Sequence, residues 1–496
     1  MKDFVKFDFK MKVSIMKKIA ILLVAAFALL GVNTANAQSR TSYFMEGTYF
    51  RSEFNPALVP TRGYFMMPGM SGINLNVGTN FLSFDNFIYQ RGDQYVTALH
   101  KDVTTAELLE KLPKTLKGNI SANVNLLGIG FYTKQIFWSA GVNLRIDNSI
   151  SSSPDMFSAI KSLGNGSFDF GSTSVNANWY LESYVGTALP VTDWLTVGVK
   201  GKLLFGLANF EATLNNKLNI TAKKVTVEVD GKWRANSPIL SNAELAKAST
   251  VELSNLLAIS DMSKLQQNLN NFGAAIDLGA EVRLLNNHLK LSAAITDLGF
   301  IKWGATSHLA GSASAAYEYN GFDISTDGVD TDNAFGPMNG GEGINKDNII
   351  QKEGYKGYTD RLSYSINVGA EYNLLKNKIA FGLFSQTKMF KTAPYSELTA
   401  SVNLRPTNWM SATVSQTLLN GNGPGVFGAA INFHPALINF YIGVDFIDSN
   451  YVSLGQVSGL DLLIPRNAKS LNLYTGLAFN FGRPKHLKGD KEARWK

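Results

Sequence analysis

The sequence predicts an all-β fold: a closed antiparallel transmembrane β-barrel of about fourteen strands, sixteen on a wider count, with an N-terminal plug and helical outer loops. Three observations predict it. They are an export leader, long segments of strict two-residue alternation, and a regular exchange of tight turns with long connections.

The leader comes first. Lys17 and Lys18 form a basic n-region, Ile19 to Val32 an apolar h-region, and Ala35-Asn36-Ala37 a small-x-small cleavage site. Met16 begins a complete signal peptide by itself, so residues 1–15 read as an upstream mis-start or an elongated n-region. Cleavage leaves Gln38 first, which offers no thiol for lipoprotein acylation. The 496-residue chain carries 46 basic and 39 acidic residues; without the 6 and 2 of residues 1–37, 40 and 37 remain, and the net charge falls from +7 to +3. That balance provides no concentrated cationic face for nucleic acid. The absence of Cys excludes disulfides and thiolate metal sites, so stability must come from a large hydrogen-bonded framework. Beyond the leader, no stretch approaches the roughly 20 apolar residues that a membrane helix needs.

Alternation then sets the two faces. From residue 361 to 374 the even positions are Leu362, Tyr364, Ile366, Val368, Ala370, Tyr372 and Leu374, and the odd ones are polar or small, ending in Glu371 and Asn373. Phe272 to Leu284 and Leu471 to Phe481 repeat the pattern. Runs of about ten to fourteen residues exceed the five or six of a soluble sandwich and suit a tilted membrane strand. The polar faces assign Lys200, Lys202, Asp277, Glu281, Arg283, Glu371, Glu397 and Arg405 to the lumen. Trp138 and Trp179 fall on the apolar side, either as interfacial girdles or as lipid-facing packing.

Six tight turns follow, near Lys134-Gln135, Thr192-Asp193, Asn286-Asn287, Lys376-Asn377, Pro406-Thr407 and Pro435-Ala436, with longer connections at about 148–174, 210–270, 301–360 and 447–469. Outer-membrane barrels show this asymmetry, with short turns inside and long loops outside. Six hairpins, a segment near Ile73 to Asn80 and the final Leu471 to Phe481 make the even count. Ala212 to Val229 and Ala310 to Tyr319 would raise it to sixteen, but each lacks a short periplasmic turn of its own and reads as a strand extension or a ribbon within a long outer loop. Thr104-x-x-Glu107 and Ser241-x-x-Glu244 form capping boxes opening helical patterns, through Leu108, Leu109 and Leu112 and from Leu245 to Leu257. These helices either lid the outer mouth or fill ordinary loops.

Residues 38–71 are dense in aromatics and Met and read as a plug buried in the lumen, with Phe54, Asn55, Pro56, Ala57, Tyr64 and Phe65 as its gating positions. The barrel then spans 72–482, and a basic tail spans 483–496. At Asn55-Pro56-Ala57 the chain resembles the FadL-type (OmpP1/FadL-like) long-chain fatty-acid transporters, whose fourteen-stranded barrel is occluded by an N-terminal hatch carrying this tripeptide. The segments NPALVPTRGYFMMPG, NLLGIGFYTK and AAITDLGFIKWG, the last including Ile295 to Trp303, also resemble a group of Bacteroidota outer-membrane barrels of unknown function, similar in outline to proteins that assist type IX secretion. Two departures bear on transfer: the lumen face is polar where an acyl route is apolar, and the chain continues past Phe481.

No chemistry stands out. His100, His288, His308, His434 and His486 lack metal-ligand spacing, and no nucleophile elbow, HExxH or Walker loop occurs. No catalytic residue, resident metal or cofactor is expected. Asp323, Asp327, Asp330, Asp332 and Glu342 either hold Ca²⁺ or form a solvated loop. The expected partners are outer-membrane lipid, a hydrophobic ligand or detergent-like lipid inside the barrel, and a periplasmic or envelope protein at the loops or tail. Two functions follow: a passive transporter or channel for hydrophobic or small solutes gated by the plug, or a structural and interaction protein assisting type IX secretion or envelope assembly.

Overall fold

The computed structural model describes residues 40–482, apart from 68–70, 93, 163–165, 222–223, 237–270, 305–307, 320–323, 326–327, 330–349, 355–356, 393, 420–425, 448–450, 458–459 and 466–469. The leader, the basic tail, the Ser241 capping box with its helical pattern, and the five carboxylates of the proposed Ca²⁺ loop lie outside the described residues.

Fourteen antiparallel strands close into a barrel. In chain order they are a first strand in two pieces (Gly63–Met66 and Ile73–Thr79), Leu116–Thr133, Ile136–Ser152, Gly166–Thr192, Leu195–Thr221, Phe272–Leu284, Leu289–Trp303, an eighth in two pieces (Tyr358–Arg361 and Tyr364–Leu374), Ile379–Met389, Pro394–Leu404, Met410–Leu419, Val426–Phe433, Ile438–Ile447 and Ser470–Phe481. Both pieces of the first strand pair with the second and with the last, so the barrel's own ladder closes on itself.

The sides are inverted relative to a water-soluble sheet. Along the eighth strand Ser365, Asn367, Glu371 and Asn373 are buried, while Tyr372 and Leu374 are exposed; Glu371 is 5% exposed and its neighbour Tyr372 44%. Leu278, Phe300, Phe381, Val402, Ile442 and Leu473 continue the exposed apolar band around the wall. Water would penalise such a surface at about 25 cal/mol per Å², whereas hydrocarbon does not. The barrel is therefore a transmembrane one. Trp138 belongs to this outer face at 38% exposed; Trp179 has outward parity but is 8% exposed, covered by Leu207 and Ala208, with its indole N–H donating to Asn148.

All six predicted turns connect consecutive strands. Two repeat one left-handed run, Leu285-Asn286-Asn287 and Leu375-Lys376-Asn377, with φ from 48° to 69°, a region Asn tolerates better than most residues. At the other end the wall grows. The fourth and fifth strands have 27 residues each, roughly 90 Å of chain at 3.3 Å per residue, far beyond the 9–11 residues that cross a bilayer. The fifth continues by hairpin into Lys224–Asn236, which pairs with His308–Tyr319, itself paired to Ile350–Gly354. The predicted stretch Ala212 to Val229 thus falls on two paired strands, Leu195–Thr221 and Lys224–Asn236, and the count stays at fourteen because Lys224–Asn236 and His308–Tyr319 form a ribbon outside the closed ring.

A small cap sits over the start of the second strand. Thr104 accepts the Glu107 N–H and opens helix α1, Thr105–Lys111, which packs Leu108 and Leu112 against Tyr89, Val103 and Leu116. Arg91 bonds both Glu107 oxygens and holds that carboxyl below its ordinary range.

One boundary needs correction. Residues 63–66, expected in the plug, form the first barrel strand: Tyr64 and Met66 face inward, and Phe65 faces outward, 39% exposed. Phe65 is therefore not a gating position. Aromatic density signalled burial, but a lipid-facing wall carries aromatics equally well.

The lipid-facing assignment is testable at Val185, 62% exposed on the fourth strand. Val185→Lys should cost about 2–4 kcal/mol if the site lies near the bilayer midplane, measured by reversible urea unfolding in lipid vesicles; a change under about 0.5 kcal/mol would place Val185 outside the hydrocarbon core.

Candidate functional site

Residues 40–60 run inside the barrel as two 3₁₀ turns, Thr41–Phe44 and Tyr49–Glu53, followed by Asn55-Pro56-Ala57. Nearly every side chain is buried. Barrel glycines provide the space. A Cβ at Gly369 would collide with the Tyr43 ring, at Gly382 with Phe44, at Gly428 with Thr41, at Gly476 with the Tyr49 hydroxyl, at Gly279 with Asn55 and at Gly198 with the Pro56 backbone. These seats lie on six strands spread around the wall.

Aromatic contacts fill the rest. Tyr43 stacks on Phe384 at 4.0 Å, and Phe50 lies parallel to Tyr474 at 6.3 Å. Burial pushes the Tyr43 phenol up to about 12 against the opposing charge of Arg51, so it stays a neutral hydroxyl, bonded to Ser292.

Polar contacts fix the register. The Asn55 amide donates to the carbonyls of Ala280 (3.0 Å) and Ala293 (3.3 Å), on adjacent strands, while its oxygen accepts the Ala57 N–H at 2.9 Å. Pro56, lacking an N–H, leaves no donor orphaned between them. The Asn367 amide donates to Phe54 O, that of Asn439 to Gly47 O, and Lys200 to Ser52 O. Ion pairs fasten two more points: Arg40 with Glu397, both fully buried, and Glu46 with Lys290 (2.7 Å) and Arg405 (3.2 Å).

Against the segment's Phe50, Glu53 and Phe54 lies a chamber of about 70 Å³. One side of it is a charge network. Lys202 meets Asp277 at 2.9 Å, Asp297 at 2.5 Å and Glu182 at 3.4 Å; Arg145 meets Asp297 at 2.8 Å and Glu182 at 3.3 Å. Lys388 pairs with Asp147 at 2.7 Å. A β-bulge makes this possible. The seventh strand slips by one residue opposite Asp277, Asp297 takes φ +62°, and Thr296 and Asp297 both face inward.

Of the expected lumen residues, Lys202 and Asp277 meet in this network, and Glu371 and Arg405 pair at 2.9 Å near the short-turn end. Lys200 sits over the Tyr184 ring, 3.7 Å from Glu53. Glu397 holds Arg40, while Glu281 and Arg283 pair along one strand, away from the chamber. Phe54, Asn55, Pro56 and Ala57 lie in the lumen segment, and Tyr64 packs against it from the wall, 5.1 Å from the Tyr49 ring. The sequence reading missed Arg145, Glu182, Asp297, Asp147 and Lys388, and also Glu46 and Glu53.

The glycine seats predict a specific defect. Overpacking costs about 1–3 kcal/mol, so Gly279→Val should accelerate tryptic cleavage after Arg51 by roughly 5- to 150-fold while the barrel keeps its heat-modifiable gel mobility. An unchanged cleavage rate would show that the seat does not hold the segment.

The chain is similar to the toluene transporter TbuX of Ralstonia pickettii (10% identity, 91% of this chain and 96% of that one, TM-score 0.38). It is also similar to the toluene transporter TodX of Pseudomonas putida (9%, 90% and 95%, 0.36) and to a FadL homologue of Pseudomonas aeruginosa (9%, 90% and 98%, 0.37). No curated protein matches the sequence. Residues 56–445 match the family described as a family of unknown function, DUF5723, and the chain belongs to that family.

Proposed function

We propose that this protein is a passive conduit of a Gram-negative outer membrane for small hydrophilic solutes, held shut by its own N-terminal segment. The short-turn end faces the periplasm and the ribbon and cap face outward, following the usual asymmetry of such barrels. One observation carries the choice of solute: of the 15 residues around the chamber, only Phe50, Phe54 and Ala122 are apolar. A lipophilic solute would strip water from amides and charges there without replacing its hydrogen bonds, at about 1–3 kcal/mol for each group left unmet. A hydrophilic one replaces them.

The second reading, a structural or interaction protein, is favoured by the anchoring of the segment on six strands and by the ion pairs of Arg40 and Glu46. Such a segment need never open, and the ribbon would then serve an envelope partner.

Deleting residues 40–60 tests the conduit, because the barrel strands begin only at Gly63. In proteoliposome swelling, the deletion protein should pass small hydrophilic solutes at least about tenfold faster than the full chain, as expected of a hydrated lumen, with no gain for lipophilic ones. A correctly assembled deletion protein that passes neither would overturn the conduit and leave the structural reading.

A further inference from the structure

The charges of the chamber are already matched to one another, and four of its neutral side chains are not fully met. Arg145 is engaged by Asp297 and Glu182, and Lys388 by Asp147. By contrast, Asn76 Nδ2, Ser121 Oγ, Asn123 Oδ1 and Gln386 Oε1 have no hydrogen-bond partner among the described residues, although all four residues line the chamber. Asn76 and Gln386 are each 98% buried, being 2% exposed. The amides are oriented by their other ends: Asn123 donates to Glu53, Gln386 donates to Asn367, and Asn76 accepts from Asn119. What remains is one donor, two acceptors and a hydroxyl that is either, on walls contributed by the first, second and ninth strands.

A charged ligand would have to break an existing ion pair to bind here. A hydroxyl group is both donor and acceptor, so a compound with several hydroxyls meets both kinds of orphan without disturbing a charge. The Phe50 and Phe54 rings offer apolar contact for its C–H groups. The volume, about 70 Å³, exceeds the roughly 10–15 Å³ that one water needs and is about half that of a cavity that takes benzene.

We propose that the chamber is a binding site for a neutral polyol of two or three carbons, held by Asn76, Ser121, Asn123 and Gln386. This deepens the conduit reading by naming its solute class, but the site stands whether or not solute crosses.

The test is equilibrium dialysis of radiolabelled glycerol against the full-length protein in detergent. Saturable binding of one glycerol per chain is expected, displaced by ethylene glycol and unaffected by equimolar acetate or methylammonium. Ser121→Ala removes only an unpartnered hydroxyl, so the fold is kept; combined with Gln386→Met it should weaken binding about tenfold or more, as two hydrogen bonds are lost. Non-saturable uptake, equal competition by acetate, or an unchanged affinity in correctly folded Ser121→Ala/Gln386→Met protein would overturn the site. Binding without liposome permeation would retire the conduit and keep the site; permeation without binding would do the reverse.

Discussion

Hydrocarbon offers no partner to a peptide N–H or C=O, and the rest of this structure depends on that constraint. It demands a ladder that meets itself, hence Gly63–Met66 and Ile73–Thr79 completing the sheet between the second strand and Ser470–Phe481. It also dictates alternation, because each residue that turns its side chain to lipid turns its neighbours inward. The polar face is therefore forced inside, where its own hydrogen bonds become the next problem.

The N-terminal segment addresses that problem. Its backbone carbonyls at Gly47, Ser52 and Phe54 accept from Asn439, Lys200 and Asn367, and its Glu46 joins cations that would otherwise face only Glu371. Wall and filling are complementary in shape as well as in charge. Where the segment approaches closely the wall has glycine, and where it ends the wall keeps amides and ion pairs. Anchoring of the segment and lining of the chamber are thus parts of one arrangement, since the residues that hold the segment border those that line the chamber.

Much of the fold could be read from sequence because its determinants are local. Period-two alternation assigned the two faces of the eighth and last strands, and Leu-Asn-Asn and Leu-Lys-Asn marked two turns. The start of the barrel could not be read in this way. Tyr64, Phe65 and Met66 look equally apolar as plug or as wall, and only pairing with residues 128–130 and 479–481 decides between them. The candidate site was half legible. Parity put Lys200, Lys202 and Asp277 in the lumen, whereas Arg145 and Asp297, 152 positions apart, share a contact that no local pattern encodes. A signal for Asp297 does exist: the apolar phase runs through Leu291, Ala293 and Ile295, then restarts at Leu298 and Phe300, one residue out of step, which marks the bulge.

The most direct test of the central claim uses the absence of cysteine, which makes single-site spin labels unambiguous. Labels placed in turn at residues 364–374 of lipid-reconstituted protein should alternate strictly, with the even positions reached by oxygen dissolved in the bilayer and the odd positions immobilised and shielded from it. Equal access of a water-soluble relaxant to the even positions would mean that this face meets water, and the transmembrane barrel would be contradicted.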